Sequence, residues 1–285
     1  MSLLHIVTLA IVQGLAELLP VSSSAHVVVA EKLLGLDPSS PPMTLLLVML
    51  HTGTMFAVIV YFWRTWRGTY FQSLPAFKRF ATQVIIATLL TGIIGEGLKL
   101  LIERIAFAGL PKAQIEDLFG HLELIAPALG AAGVLILVAG LATRGRARGS
   151  GADDLTPGQS SVIGAVQGLC LPFRGFSRSG ATISTGMLLG VTRSRVEAFS
   201  FALAVVLTPA VDLREALRLM HSDAAPGALR STALLSMFGA FIAFLAGLAA
   251  LRWLSRWLET DRWYLFGIYC LIAAAAVEYL HSIGY

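Results

Sequence analysis

Apolar runs of about 20 residues recur along this chain from end to end, and no other feature limits its fold so strongly. A run of that length is what one helix needs to cross the hydrocarbon core of a bilayer. Six stand out, at about 43–62, 81–101, 124–142, 197–213, 229–251 and 263–281. Two more, at about 3–19 and 158–172, run up to a proline, then a cluster of small polar residues and a second short apolar run. Those two read as broken or re-entrant segments. Composition agrees: 56% of the 285 residues are hydrophobic and 13% charged, with a mean hydropathy of +0.76. Such values belong to a polytopic membrane protein rather than a soluble domain. The expected fold is all-α, with six transmembrane helices plus two re-entrant or broken helical segments.

The charges say which way the chain sits. Arg64, Arg67, Lys78 and Arg79 fall in one loop, Arg144, Arg146 and Arg148 in a second, Arg193 and Arg195 in a third, and Arg252, Arg256 and Arg262 in a fourth. With six spans and two segments that enter and leave by one face, all four loops lie on the same side, the cytoplasm by the positive-inside rule. The opposite side holds fewer cations, Lys32, Arg104, Lys112, Arg214, Arg218 and Arg230. Because the basic residues follow the loops, the net charge of +4 reflects topology and no nucleic-acid partner is expected. The N-terminal run lacks a basic n-region and a small-residue cleavage site, so it is expected to stay in the mature protein. Cys170 and Cys270 lie far apart without metal-type spacing and are expected as buried free thiols.

The chain reads as a single membrane domain, 1–285, divided by a Gly- and charge-rich cytoplasmic linker at 143–157. The halves on either side, 1–142 and 158–285, echo each other. "VQGLAELLPVSSSAH" begins at Val12 and "VQGLCLPFRGFSRSGAT" at Val166. By the topology above they enter from opposite faces, which makes an inverted repeat. In such folds discontinuous helices meet inside the membrane, and non-helical backbone is tolerated where it lines a cavity.

Gln13 and Glu17 are four apart and share a helix face. Pro20 ends that helix, and Ser22 or Ser23 caps the next one. If the new helix starts near Ser22, Ser23 and His26 face the same way, and Glu17 meets them across the turn. In the second turn Gly175 and Gly180 permit close backbone approach, while Ser177 and Ser179 offer hydroxyls. Arg178 supplies a planar cation, with Thr182 one turn beyond. Helix-start amides, hydroxyls and an arginine together form an anion site, for which phosphate is the natural ligand. Arginine in lipid requires compensation, which a bound phosphate and Glu17 would provide. His51, mid-span, reads as a structural hydrogen-bonding residue. Glu96 and Lys99 need only an ion pair or snorkelling, and Asp212, Arg214 and Glu215 read as the solvated start of an exterior loop.

These residues carry a resemblance. "QGLAELLPVSSSAH" and "FRGFSRSGAT" resemble the two motifs of the undecaprenyl-diphosphate phosphatase family, also called bacitracin-resistance proteins, and the order of spans is similar over nearly the whole chain. Ala25 stands where the family usually has Gly. Arg174 stands where it has Pro, adding a cation beside the phosphate site. The resemblance implies hydrolysis of undecaprenyl diphosphate to undecaprenyl phosphate and phosphate, recycling the lipid carrier of cell-wall synthesis. It implies a place in the bacterial cytoplasmic (inner) membrane, with the active site opening to the outer, periplasmic face.

Carried over by position, Glu17 is an essential carboxylate and metal ligand, Gln13 its partner, His26 a catalytic imidazole and Arg178 the phosphate clamp. Ser23 and Ser24 lie at the phosphate, and Ser177, Ser179 and Thr182 complete the second turn. Ser22 and the departing Arg174 are expected to bind substrate beside them. A divalent cation, Mg²⁺ or Ca²⁺, is expected as cofactor. The partners are the polyprenyl diphosphate lipid and the bilayer, with a homodimer as an open expectation. Phosphoryl transfer mostly needs positioning and charge neutralisation. Three nucleophiles remain: Ser23 with His26 as base, His26 itself, or an activated water. A secondary transporter or flippase for a polyprenyl phosphate or other anion is the alternative from another class; it would have no need of a reactive Ser23–His26 pair.

Overall fold

The computed structural model describes residues 2–37, 40–106, 121–145, 154–220 and 226–285. Among them are ten helices: α1 (Leu3–Leu18), α2 (Ser23–Leu33), α3 (Pro41–Thr69), α4 (Leu74–Ala106), α5 (Leu122–Ala142), α6 (Pro157–Cys170), α7 (Arg178–Leu188), α8 (Arg193–Met220), α9 (Pro226–Glu259) and α10 (Trp263–Ser282). The described residues contain no strand. Five helices, α3, α4, α5, α9 and α10, are long and apolar enough to cross a membrane. The sixth expected span, 197–213, lies inside α8, whose side chains are described only in part. The expected cations Lys112, Arg146 and Arg148 lie outside the described residues, as do the side chains of Arg214, Glu215, Arg218 and Arg230.

The two broken segments take the form expected of them. α1 starts on Ser2, whose hydroxyl accepts the His5 amide, and stops at Leu19 ahead of Pro20. α6 starts on a capping box, Thr156 with Gln159, with Pro157 in the first turn. Each is followed by a turn and an 11-residue helix, α2 or α7. The five helices up to Ala142 have 16, 11, 29, 33 and 21 residues, and the five from Pro157 on have 14, 11, 28, 34 and 20.

Packing follows the same order. α1 lies against α9 and α6 against α4, while α5 pairs with α10 and α3 with α8 and α9. Small residues set the closest approaches, as is usual between helices in lipid. A Cβ on Gly14 would lie 2.6 Å from Ala246 Cβ of α9, and one on Gly168 would lie 2.8 Å from the Thr91 carbonyl of α4. Leu89, Ile93, Phe241 and Ile272 stand exposed on outward faces, an arrangement suited to lipid and costly in water.

The cationic loops gather at one end. Arg193 donates to the carbonyls of Leu258 and Thr143 and pairs with Asp261. Arg79 pairs with Asp154, and both line a surface cavity with Tyr70 and Arg195. Lys99 pairs with Glu103 at 3.9 Å. Both cysteines are free and buried.

Candidate active site

The two broken segments meet. Where α1 ends, Leu19 and Pro20 lead into Ser22, which has φ +68°, a region that non-glycine residues enter at a cost of order 1–3 kcal/mol. Local bonds hold it there. Its hydroxyl accepts the Ala25 amide at 3.4 Å, and its carbonyl accepts His26 Nδ1–H at 2.8 Å. In the second turn Gly175 has φ +99°, with the Ile125 carbonyl so close that no side chain would fit. The turns join directly: the Gly175 amide donates to Ser24 Oγ at 3.2 Å, and Ser179 Oγ donates to the Leu19 carbonyl at 3.4 Å. Ser177 caps α7, accepting the Gly180 amide at 3.2 Å.

Glu17 stands at the junction. Its Oε1 accepts from Arg178 Nη2 at 3.2 Å. Its Oε2 accepts from Gln13 Nε2 at 3.1 Å and from Ser23 Oγ at 2.5 Å. The Ser23 bond is at the short end for a hydroxyl on a carboxylate, as expected for a charge-assisted bond. The Glu17 and Arg178 side chains are 16% and 18% exposed, so the two form an ion pair in a poorly solvated place. The second guanidinium nitrogen, Arg178 Nη1, is buried and has no acceptor among the described residues. A buried donor without an acceptor at a helix start is what an anion would satisfy.

Beside these groups lies a cavity of about 350 Å³. Eight expected residues line it: Glu17, Ser22, Ser23, Ser24, Arg174, Ser177, Arg178 and Ser179. Three do not. Gln13 is buried behind Glu17 and holds its carboxylate. Thr182 is fully buried, with its hydroxyl on the Arg178 carbonyl at 2.8 Å and on Ser200 Oγ at 2.6 Å, so it ties α7 to α8.

His26 is the third, and it departs most from expectation. It faces an apolar groove with Val29, Leu129 and Ile272. With Nδ1–H on the Ser22 carbonyl, Nε2 of the neutral ring accepts from Tyr269 Oη at 2.7 Å, and the two rings stack 5.7 Å apart. Both nitrogens are taken, and the Ser23 hydroxyl bonds Glu17 instead. The expected Ser23–His26 pair is not formed, because Tyr269, 243 residues away in sequence, takes up the ring.

Two residues read as structural or solvated prove to face the cavity. His51 makes the expected structural bond, Nδ1–H to the Leu47 carbonyl at 2.9 Å, but also lines the cavity with Nε2 3.7 Å from Glu17 Oε2. Asp212 lies within α8 rather than in a loop, lines the same cavity, and accepts from Thr52 Oγ1 at 3.4 Å. Their only sequence signal was a polar side chain inside an apolar run.

The donor set does not suit a resident divalent cation. No group of three or more His, Cys, Asp or Glu side chains converges among the described residues. Both oxygens of Glu17 already accept hydrogen bonds, one of them from a cation.

Comparison with known proteins shows which family the chain resembles. A family model described as "Bacitracin resistance protein BacA" matches residues 6–276. The chain is 56% identical over 282 residues to a protein of Acinetobacter baylyi named "Undecaprenyl-diphosphatase 2", covering 97% of each. It is 34% identical over 289 residues to the "Undecaprenyl-diphosphatase" of Gluconacetobacter diazotrophicus, covering 96% of this chain and 95% of that protein. A protein of the same name from Desulfosudis oleivorans is 34% identical over 284 residues, covering 93% and 94%. With both motifs in place and the match running nearly end to end, this chain belongs to the bacitracin resistance protein family.

Proposed function

We propose that this chain hydrolyses undecaprenyl diphosphate to undecaprenyl phosphate and inorganic phosphate, and so returns a lipid carrier to cell-wall synthesis. The observation that carries the reading is the 2.5 Å bond from Ser23 Oγ to Glu17 Oε2, in a cavity that Arg178 also lines. A hydroxyl poised on a carboxylate is an activated nucleophile, and a buried arginine beside it is a phosphate clamp. Ser23 Oγ attacks the terminal phosphorus while its proton passes to Glu17. The bond to the bridging oxygen breaks and undecaprenyl phosphate leaves, with charge neutralised by Arg178 and the α7 start. Water then cleaves the phosphoserine. A carrier would need Arg178 but would have no use for the Ser23–Glu17 bond.

A divalent cation, Mg²⁺ or Ca²⁺, would be held beside Glu17 chiefly through the substrate rather than by a protein cage, and would supply charge neutralisation for the diphosphate. The protein lies in the bacterial cytoplasmic membrane as an inverted repeat. That reading rests on the matched helix lengths and on the equivalent places of Gly14 against α9 and Gly168 against α4. The cavity opens to the outer face: along α3, His51 stands roughly 27 Å from Thr69 at 1.5 Å per residue, and Thr69 lines the cavity at the cation-rich end. Glu17→Ala and Arg178→Ala are expected to abolish phosphate release while the protein stays inserted; turnover near that of wild type in either variant would overturn the site.

A further inference from the structure

We infer that His51 is the general base of the second half-reaction, the group that takes a proton from the water that hydrolyses phosphoseryl-23. The inference rests on the function proposed above and assigns a role that the Ser23–Glu17 pair leaves open.

Two-step hydrolysis needs two proton transfers. The first belongs to Glu17, whose Oε2 already holds the Ser23 hydroxyl. The second needs an acceptor that faces the cavity and is not consumed by a structural bond. Among the described residues that line the cavity, His51 is the only imidazole. Its Nδ1 lies 2.9 Å from the Leu47 carbonyl, and since a carbonyl can only accept, Nδ1 carries the hydrogen. In the neutral ring the lone pair is therefore on Nε2. That nitrogen is 3.7 Å from Glu17 Oε2, too far for a hydrogen bond, so the carboxylate does not use it up. The His51 side chain is 38% exposed and lines the cavity. His26 has none of this freedom, because both its nitrogens are bonded away from the cavity.

The step balances. A water oxygen attacks the phosphorus of phosphoseryl-23, and one of its protons moves to His51 Nε2. The phosphorus–Oγ bond breaks, inorganic phosphate forms, and Ser23 Oγ recovers the proton that Glu17 took in the first step. His51 then releases its proton to solvent.

The test uses the purified full-length protein with undecaprenyl diphosphate radiolabelled in the terminal phosphate. Steady-state release is measured beside the acid-stable label left on the protein. His51→Asn keeps a donor for the Leu47 carbonyl and removes the base; His51→Gln is run in parallel in case the first variant does not fold. A general base accounts for about 10²–10⁴-fold in rate. The expected result is a loss of that size, with label accumulating on Ser23 to near one per chain. Turnover within about threefold of wild type would overturn the proposal, and so would lost turnover without trapped label, since His51 would then serve the first step or the fold. Wild-type protein that releases no phosphate, or Ser23→Ala releasing it at the wild-type rate, would overturn the underlying function and this proposal with it.

Discussion

Glu17 Oε2 is where the site's hydrogen bonds converge, and side chains around it are ranked by what they give it. Arg178→Lys keeps the charge but loses the planar fork that serves Glu17 and a phosphate together. Its expected effect is a fall in kcat/KM of about 10–100-fold, read by steady-state phosphate release. His26 acts through the turn, holding the Ser22 carbonyl in a backbone conformation that aims Ser23. His26→Asn, which retains a donor near the place of Nδ1, is therefore expected to keep roughly ten times the turnover of His26→Gln, which places its amide near Nε2. Equal loss in both would speak for a direct chemical role instead. Glu17, Ser23 and Arg178 were legible in the sequence because charge and hydroxyls inside apolar helices need a reason. The orientation of His26 was not legible, since its partner Tyr269 comes from the far end of the chain. His51 and Asp212 were not legible either, because one polar residue in an apolar run looks the same whether it bonds its own helix or faces a cavity.

At the level of elements, the two "VQGL" stretches each bury a glutamine and bring a neighbouring helix close. Gln13 and Gln167 are both buried, and Gly14 and Gly168 each admit a neighbouring helix. A side chain at Gly168 has to displace α4 backbone, so Gly168→Leu is expected to destabilise the protein by about 1–3 kcal/mol, seen as a lower unfolding midpoint in detergent. Gly92→Leu, on the same α4 with nothing within 4 Å of its Cβ, is expected to leave the midpoint unchanged. Breaks after α1 and α6 could be read from prolines and serines, whereas helix ends such as Thr69 and Glu259 lie well beyond the apolar runs. A helix crossing a bilayer continues into water at little cost, and no hydropathy signal marks where it stops.

Across the whole molecule, cations gather at one end, and the function proposed above has the cavity open toward the other. In a background lacking Cys170 and Cys270, Thr44→Cys at the cavity is expected to react with a membrane-impermeant maleimide on intact cells. Ser73→Cys, at the cationic end, is expected to react only after permeabilisation. The reverse pattern would place the cavity on the cytoplasmic face. The grouping of cations was legible from loop positions, while the contacts that knit those loops together, such as Arg193 with Thr143 and Leu258, depend on how the helices pack. The most direct test of the account is phosphate release from undecaprenyl diphosphate by the purified protein, with wild type compared against Ser23→Ala. The expected outcome is steady release by wild type and a loss of about 10³-fold or more in the variant, eluting from a sizing column like wild type. Release by Ser23→Ala at the wild-type rate would contradict the account, because the hydroxyl held on Glu17 would then not be the nucleophile.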